Sequence, residues 1–338
     1  RQPEKQPFGP FLGSAALGQM ELRRFRLKWA SVYPTARLLW PPMPKSHDSL
    51  TRFLLERAHV RGALVRLDET WQAIRARTDY PEAAADFLGQ CCVASALFTA
   101  SLKLEGGVSV QLRGESALRR VFAECRTDGS LRGIAHFEAP LPMHLPLSAF
   151  GPKAVLAITI ENNGAGHREP QRYQGMVGLQ AESLSGAFED YFAQSEQLPT
   201  RLLLFSRGNQ AAGLLIQQLP EAFSTAEDWQ RAQALFETLS AGELLQLEPN
   251  EVLYRLFHEE SVRVLDTQPL AFGCSCSRER VETTLVSLGQ AEIEETIAET
   301  GGISVHCDFC GQGYHFSAEE GLSLFWPESR LPPSKRLH

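Results

Sequence analysis

Four thiols late in the chain have the types and spacing to do chemistry: Cys274, Cys276, Cys307 and Cys310, in two tight pairs, C-S-C and C-D-F-C. Four cysteine sulfurs supply both the number and the softness of ligands for one tetrahedral Zn2+ per chain, each about 2.3 Å from the metal. No further ligand is required, so His258, His306 and His315 read as surface or supporting groups. Ile303-Ser-Val305 has the character of a strand before the second pair, Gly311-Gln-Gly313 that of a turn after it, and Tyr314-His-Phe316 that of a returning strand. Together they describe a zinc knuckle on a hairpin, with glycine permitting the positive-φ return. Three chemistries fit such a site. A closed four-thiolate zinc most often only holds a fold together, which would make the chain a constitutive zinc-stabilised interaction protein. A dithiol-disulfide oxidoreductase would use Cys307 and Cys310, but that chemistry places its C-x-x-C at a helix N-terminus, and Gly311 and Gly313 oppose a helix there. The third is redox regulation: a disulfide closed over so few residues as C-x-C would be strained and labile, and zinc keeps its sulfurs as thiolates, the form oxidants attack.

The remaining three of the seven cysteines are scattered. Cys91 and Cys92 fall in an Ala-rich apolar stretch and read as inert core thiols. Cys125, between Glu124 and Arg126 near a turn, reads as more exposed and carries no assigned role. An odd, clustered set points to metal ligation in a reducing cytoplasm and away from a secreted disulfide framework.

The elements that must position the site belong to a chain of 338 residues, 43% apolar and 22% charged, with a net charge of -7. That is a globular composition of roughly two domains with ample material for a core. Residues 1–42 carry seven basic and two acidic side chains, 43–220 equal numbers, 221–272 three and ten, and 273–338 five and ten. Only the N-terminal segment is basic, which argues against nucleic acid as a partner. No apolar run is long enough to span a bilayer, and the N-terminus lacks the pattern of a secretory signal. Gly106-Gly107 and Asn163-Gly164-Ala-Gly166 lack phosphate-loop spacing and read as turns. With no G-x-S-x-G elbow or convincing carboxylate pair either, nothing favours a hydrolase, and the chain is expected not to be an enzyme.

Residues 1–42, rich in Pro and Arg, read as a poorly ordered extension, with Met43 as a candidate natural start or the segment as a targeting sequence. Residues 43–220 read as an α+β core domain, its sheets accompanied by helices. Strands are expected at Val60–Leu67, Val108–Leu112, Ser130–Phe137, Ala154–Ile160, Tyr173–Leu179, Arg201–Phe205 and Gly213–Gln217. Helices are expected at Asp68–Arg77, N-capped by Asp68, at Glu82–Leu104, closed by Gly106-Gly107, and at Ser183–Gln194. Residues 221–272 read as an acidic helical linker, with Trp229, Ala232, Phe236 and Leu239 on one face and Val252, Leu253, Leu256 and Phe257 on another. Residues 273–338 form the small cysteine-bearing module.

Several segments in order resemble the heat shock protein 33 family of redox-regulated chaperones. They are Phe272-Gly-Cys-Ser-Cys-Ser-Arg-Glu-Arg-Val281, Ser287-Leu-Gly289 and His306-Cys-Asp-Phe-Cys310 and, upstream, Val60-Arg-Gly62, Lys103, Gln111-Leu-Arg-Gly114, Leu131-Arg-Gly133, Arg172-Tyr-Gln-Gly175, Ser195-Glu-Gln-Leu-Pro-Thr-Arg201, Gly213-Leu-Leu-Ile-Gln217 and Leu253-Tyr-Arg-Leu-Phe257. The resemblance covers about residues 49–325. It departs in the extra N-terminal segment and at Phe150-Gly-Pro-Lys153, where a more glycine-rich turn is expected. It implies a cytoplasmic, ATP-independent holdase for unfolding proteins, inactive while reduced and zinc-bound. Oxidation is then expected to form Cys274–Cys276 and Cys307–Cys310 disulfides, release zinc, unfold the linker and give an active homodimer. Zinc contributes roughly 10 to 16 kcal/mol to folding such modules, so its loss should melt this one. On that reading Trp229, Phe236, Leu239, Leu256 and Phe257 become the apolar surface offered to clients.

Overall fold

The structure, a computed structural model, describes residues 48–102, 105–163, 171–219 and 225–326. The expected extension 1–42, Lys103 and the Gly164-Ala-Gly166 turn lie outside these residues. The chain opens with β1 (Ser49–Leu55), β2 (Val60–Leu67), α1 (Glu69–Arg75) and α2 (Glu82–Thr99). Asp68 takes the N-cap position of α1 without capping it; the Asp48 carboxylate accepts the Asp68 and Thr70 N–H groups instead. α2 is apolar almost all round because, apart from Glu82, Asp86 and Gln90 on one side of its first half, it is buried between two sheets. It ends at Thr99, short of the expected Leu104, and Gly106-Gly107 opens β3 (Gly106–Arg113) instead of closing the helix. A Cβ on Gly106 would lie 1.9 Å from the Glu161 carbonyl oxygen, so glycine here serves the close approach of two strands.

The chain continues through β4 (Leu118–Arg126), β5 (Ser130–Phe137), β6 (Val155–Asn162), β7 (Gln171–Gly178), α3 (Leu184–Tyr191), β8 (Thr200–Arg207) and β9 (Gln210–Gln218). Ser183 caps α3 by accepting from Gly186 N at 3.1 Å, and a π turn at Phe192–Glu196 prolongs the helix. The linker forms α4 (Ala226–Phe236), α5 (Ala241–Gln246) and α6 (Pro249–Phe257), then β10 (Val262–Pro269) and β11 (Ala271–Phe272). Among the described residues the strands make a sheet of order β10-β1-β2-β9-β8 and another of order β11-β5-β4-β3-β6-β7. Val65 and Leu215 from the first, Val110 and Ile158 from the second, and Val93 and Leu97 of α2 between them meet in one core.

The fold is α+β as expected, with three local departures. β1 and β4 were not legible as strands. β1 is buried or half-buried on both faces, so its apolar run does not alternate, and β4 carries the exposed Arg119-Arg120 directly after its first residue, Leu118. The end of the linker is a strand, not a helix: β10 pairs antiparallel along all of β1, from Ser49 opposite Pro269 to Leu55 opposite Val262, with a bulge between Arg52 and Phe53. Without it the β1 backbone would present an open edge. Cys125, read as exposed, is fully buried because its side of β4 faces α2, and burial pushes its thiol up to about 12. Cys91 and Cys92 are fully buried, as expected, and burial raises both thiols.

Candidate metal centre

The C-terminal module consists of α7 (Arg278–Leu288), α8 (Gln290–Thr300), β12 (Gly302–His306), β13 (Gly313–Ser317) and α9 (Ala318–Ser323). β12 and β13 form the expected hairpin, from Gly302 opposite Ser317 to His306 opposite Gly313. Its loop is closed by Cys307 N donating to Gln312 O at 2.9 Å and Gly311 N to Cys307 O at 2.7 Å, with Gly311 at φ +74°. That left-handed turn brings Cys307 and Cys310 to one side. The other pair sits between β11 and α7, whose N-cap Ser277 accepts from Arg280 N at 3.3 Å.

The structure brings all four cysteines together, with sulfurs within 4.8 Å of one another. Cys274 and Cys307 are 3.6 Å apart and Cys276 and Cys310 3.4 Å, close to the ~3.8 Å edge of a tetrahedron with ~2.3 Å metal–sulfur bonds. The donor set therefore fits a zinc ion. His258, His306 and His315 do not join it; His315 Nδ1 is 3.0 Å from Ser304 Oγ, and His258 Nδ1 is 3.0 Å from the Tyr254 carbonyl. Desolvation would raise the Cys276 thiol, but hydrogen bonds from Tyr314 and the neighbouring thiols outweigh it and bring Cys276 down to about 7. Desolvation keeps Cys307 raised and takes Cys310 up to about 12. Desolvation thus opposes ionisation of Cys307 and Cys310, and a divalent cation bound among the sulfurs would supply the compensating charge.

The centre is attached to the core by contacts that the sequence did not announce. Phe309, between the two loop cysteines, meets the Phe122 ring edge-on at 5.6 Å. Arg132 of β5 stacks over Phe309 at 4.4 Å, points Nη1 at Cys274 Sγ from 3.9 Å, and is ion-paired to Glu124 at 2.5 Å. Arg77 donates to the Cys310 carbonyl at 3.0 Å and stacks over Phe272 at 4.7 Å. The only sequence signals were that Arg132 and Phe309 lie inside the family-resembling segments Leu131-Arg-Gly133 and His306-Cys-Asp-Phe-Cys310.

The linker helices follow the expected spacing. Phe236, Leu256 and Phe257 are buried and Trp229 and Leu239 half-buried, all against Phe53, Leu64, Leu214 and Ile216 of the core. Capping boxes at Thr225/Asp228 and Ser240/Glu243 start α4 and α5, and Pro249 starts α6. The linker's acidic groups meet core arginines: Asp266 pairs with Arg52 at 2.5 Å, and Arg66 donates to Leu247 O at 2.8 Å with Glu248 3.9 Å away. The exposed Arg52–Asp266 pair adds little and the buried Arg66 ties down only the Leu247–Glu248 turn, so the apolar contact is the main hold on the linker. No helix among the described residues is long and apolar enough to cross a membrane.

A two-sheet α+β core whose linker leads into a four-cysteine module defines a particular class of architecture, and comparison with known proteins identifies it. The family model described as Hsp33 protein matches residues 48–317. The 33 kDa chaperonin of Chromobacterium violaceum is 41% identical over 279 residues, 82% of this chain and 94% of that protein. The 33 kDa chaperonin of Hahella chejuensis is 44% identical over 282 residues, 82% and 97% of the two chains. The crystal structure of the 33 kDa chaperonin from Thermotoga maritima shares the fold, with a TM-score of 0.70 and 24% identity over 82% of this chain and 98% of that one. The chain belongs to the Hsp33 family. Membership supports a chaperone function, and with it the binding of client proteins.

Proposed function

We propose that this protein is a cytoplasmic, ATP-independent holdase with no enzymatic turnover, switched on by oxidation of its four-cysteine centre. Cys274, Cys276, Cys307 and Cys310 would hold one zinc ion, which supplies charge compensation and a cross-link between the two cysteine pairs. The observation that carries the reading is that Phe236, Leu256 and Phe257 are buried against the core while their segment runs, through β10 and β11, directly into Cys274. A linker that hides its apolar face and ends at a redox-sensitive site is built to be released from that end.

Oxidation joins two thiolates into a disulfide, passing two electrons to an oxidant such as a peroxide, which takes up two protons and leaves as water. Two such steps, at Cys274–Cys276 and Cys307–Cys310, remove all four sulfur ligands. The family resemblance supports that pairing; the sulfur distances do not choose it, because the closest pairs run across, Cys274 to Cys307 and Cys276 to Cys310. Peptide mapping of the oxidised chain decides between them. With the module melted, the linker loses its anchor, and Trp229, Phe236, Leu239, Leu256 and Phe257 turn from core packing to client binding, in a homodimer. The test is light scattering of an unfolding client with reduced, peroxide-treated and re-reduced protein, with zinc followed by a chromogenic chelator. Suppressed aggregation only in the oxidised form, with zinc liberated and both changes reversed by reductant and zinc, supports the switch. Equal activity in all forms would make the chain a constitutive zinc-stabilised binder.

A further inference from the structure

Arg132 touches three parts of the molecule at once. Its guanidinium is paired with Glu124 of β4 at 2.5 Å, stacked on the Phe309 ring at 4.4 Å and 3.9 Å from Cys274 Sγ. The strand that carries it, β5, also holds the end of the linker: β11 pairs with it in parallel, and Gly273 N donates to Leu131 O at 3.0 Å, one residue before Cys274. A Cβ on Gly273 would lie 2.6 Å from the Ser130 Cβ, so this approach is too close for any larger residue. Phe309 reaches Phe122, on the neighbouring strand, from inside the loop between Cys307 and Cys310, and the loop cannot change shape without moving it. The two halves of the centre are thus laid on adjacent strands of one sheet, with Arg132 between them.

We propose that Phe309, Phe122 and Arg132 form a clasp that transmits the state of the four-cysteine centre to the linker, and that this clasp, not zinc retention alone, sets how readily the linker opens. The proposal rests on the redox-switch reading given above. With the sulfurs gathered, Phe309 stays on Phe122 and Arg132 stays over it, holding β11 against β5. When the Cys307–Cys310 loop is remodelled, Phe309 withdraws, Arg132 loses its stacking partner, and β11 keeps only its short ladder and the packing of Phe272 under Arg77. Arg132, Phe122 and Phe309 are positioning residues: they bind neither metal nor client in this scheme. Phe309 is the one aromatic residue of the loop and its ring is half-buried, so its packing is available to the core without being needed by the module's own cluster of Leu285, Ile293, Ile303 and Phe316.

The test uses the full reduced, zinc-loaded chain and its Phe309→Ala and Phe122→Ala variants, which approach the same contact from opposite sides. Zinc per chain and hydrogen exchange of the amides in 262–273 are measured together. The clasp requires one zinc per chain in both variants and exchange in 262–273 faster by about tenfold, the loss expected of an aromatic pair with its cation–π partner. The double variant should exchange no faster than Phe309→Ala, because that change already removes both the Phe122 and the Arg132 contacts. Arg132→Lys, which keeps the charge but loses the planar stack, should fall between wild type and Phe309→Ala. Wild-type exchange in both single variants with zinc retained would overturn the clasp, as would zinc loss in both, which would mean that they act through the metal. Failure of the switch itself would appear elsewhere, as wild-type protein that does not protect clients after oxidation.

Discussion

The linker and the C-terminal module are both built of short amphipathic helices, yet they depend on different things. α4, α5 and α6 place Ala232, Phe236, Leu244, Val252, Leu253, Leu256 and Phe257 in a buried cluster whose other half is core strand, including Phe53, Leu55, Leu64, Leu214 and Ile216. The module buries Leu285, Ile293, Ile303 and Phe316, and α7 and α8, eleven residues each, contribute one buried side chain apiece. A unit with so small a core needs a staple, and the gathered thiols supply the place for one. The linker is therefore held by apolar contact with its neighbour, and the module, on the proposed reading, by a metal bound at its four cysteines. On the proposed reading the two dependencies are joined in series, so that a small chemical change at one end would free a large apolar face at the other.

The sharpest way to break the comparison is Cys274→Ser. Removing one ligand from a site worth roughly 10 to 16 kcal/mol should abolish stoichiometric zinc and melt the module, while leaving the two-sheet core folded. Zinc analysis and circular dichroism read it, and full zinc content would sink the four-thiolate assignment. Phe257→Ala attacks the other dependency: truncating a fully buried ring costs about 3 to 5 kcal/mol, so the linker should become protease-sensitive in reduced protein that still holds zinc. If its zinc were lost as well, the two regions would not be separable. Ser240→Ala removes the N-cap of α5 and should cost about 1 kcal/mol, visible as a small rise in linker exchange without constitutive activity. Smallest of all is the expected response of Cys91, Cys92 and Cys125 to a thiol reagent in the native, metal-free protein: no labelling, against complete labelling of Cys274, Cys276, Cys307 and Cys310 in the same sample. Each core thiol has no exposure, and burial holds each well above its ordinary value.

What the sequence revealed follows the range of the forces involved. The knuckle was legible because it is local: cysteine spacing, the Gly311 turn and two flanking strands lie within a few residues of one another. The linker helices were legible from their apolar spacing, and their capping boxes and Pro249 agree with it. β10 was hidden because its partner, β1, lies at the far end of the domain, and half-buried residues such as Val262 and Val264 look alike on a helix or an edge strand. Cys125 was misread because flanking charges suggested exposure, whereas alternation along β4 turns Glu124 and Cys125 to opposite faces. Phe309 and Arg132 stood in plain sight within family-resembling segments, but their contact joins β5 to a loop far along the chain, and nothing local encodes it.

On the proposed reading, a metal held by the four cysteines keeps the linker's apolar face against the core. The most direct test is hydrogen exchange of peptides spanning 225–273, followed alongside released zinc as reduced protein is titrated with peroxide at mildly raised temperature. The account requires protection to fall in step with zinc release, and β3, β4 and β9 to stay protected throughout. Zinc released with linker protection unchanged would contradict it, and would leave the four cysteines as a structural site unconnected to the buried face of α4 to α6.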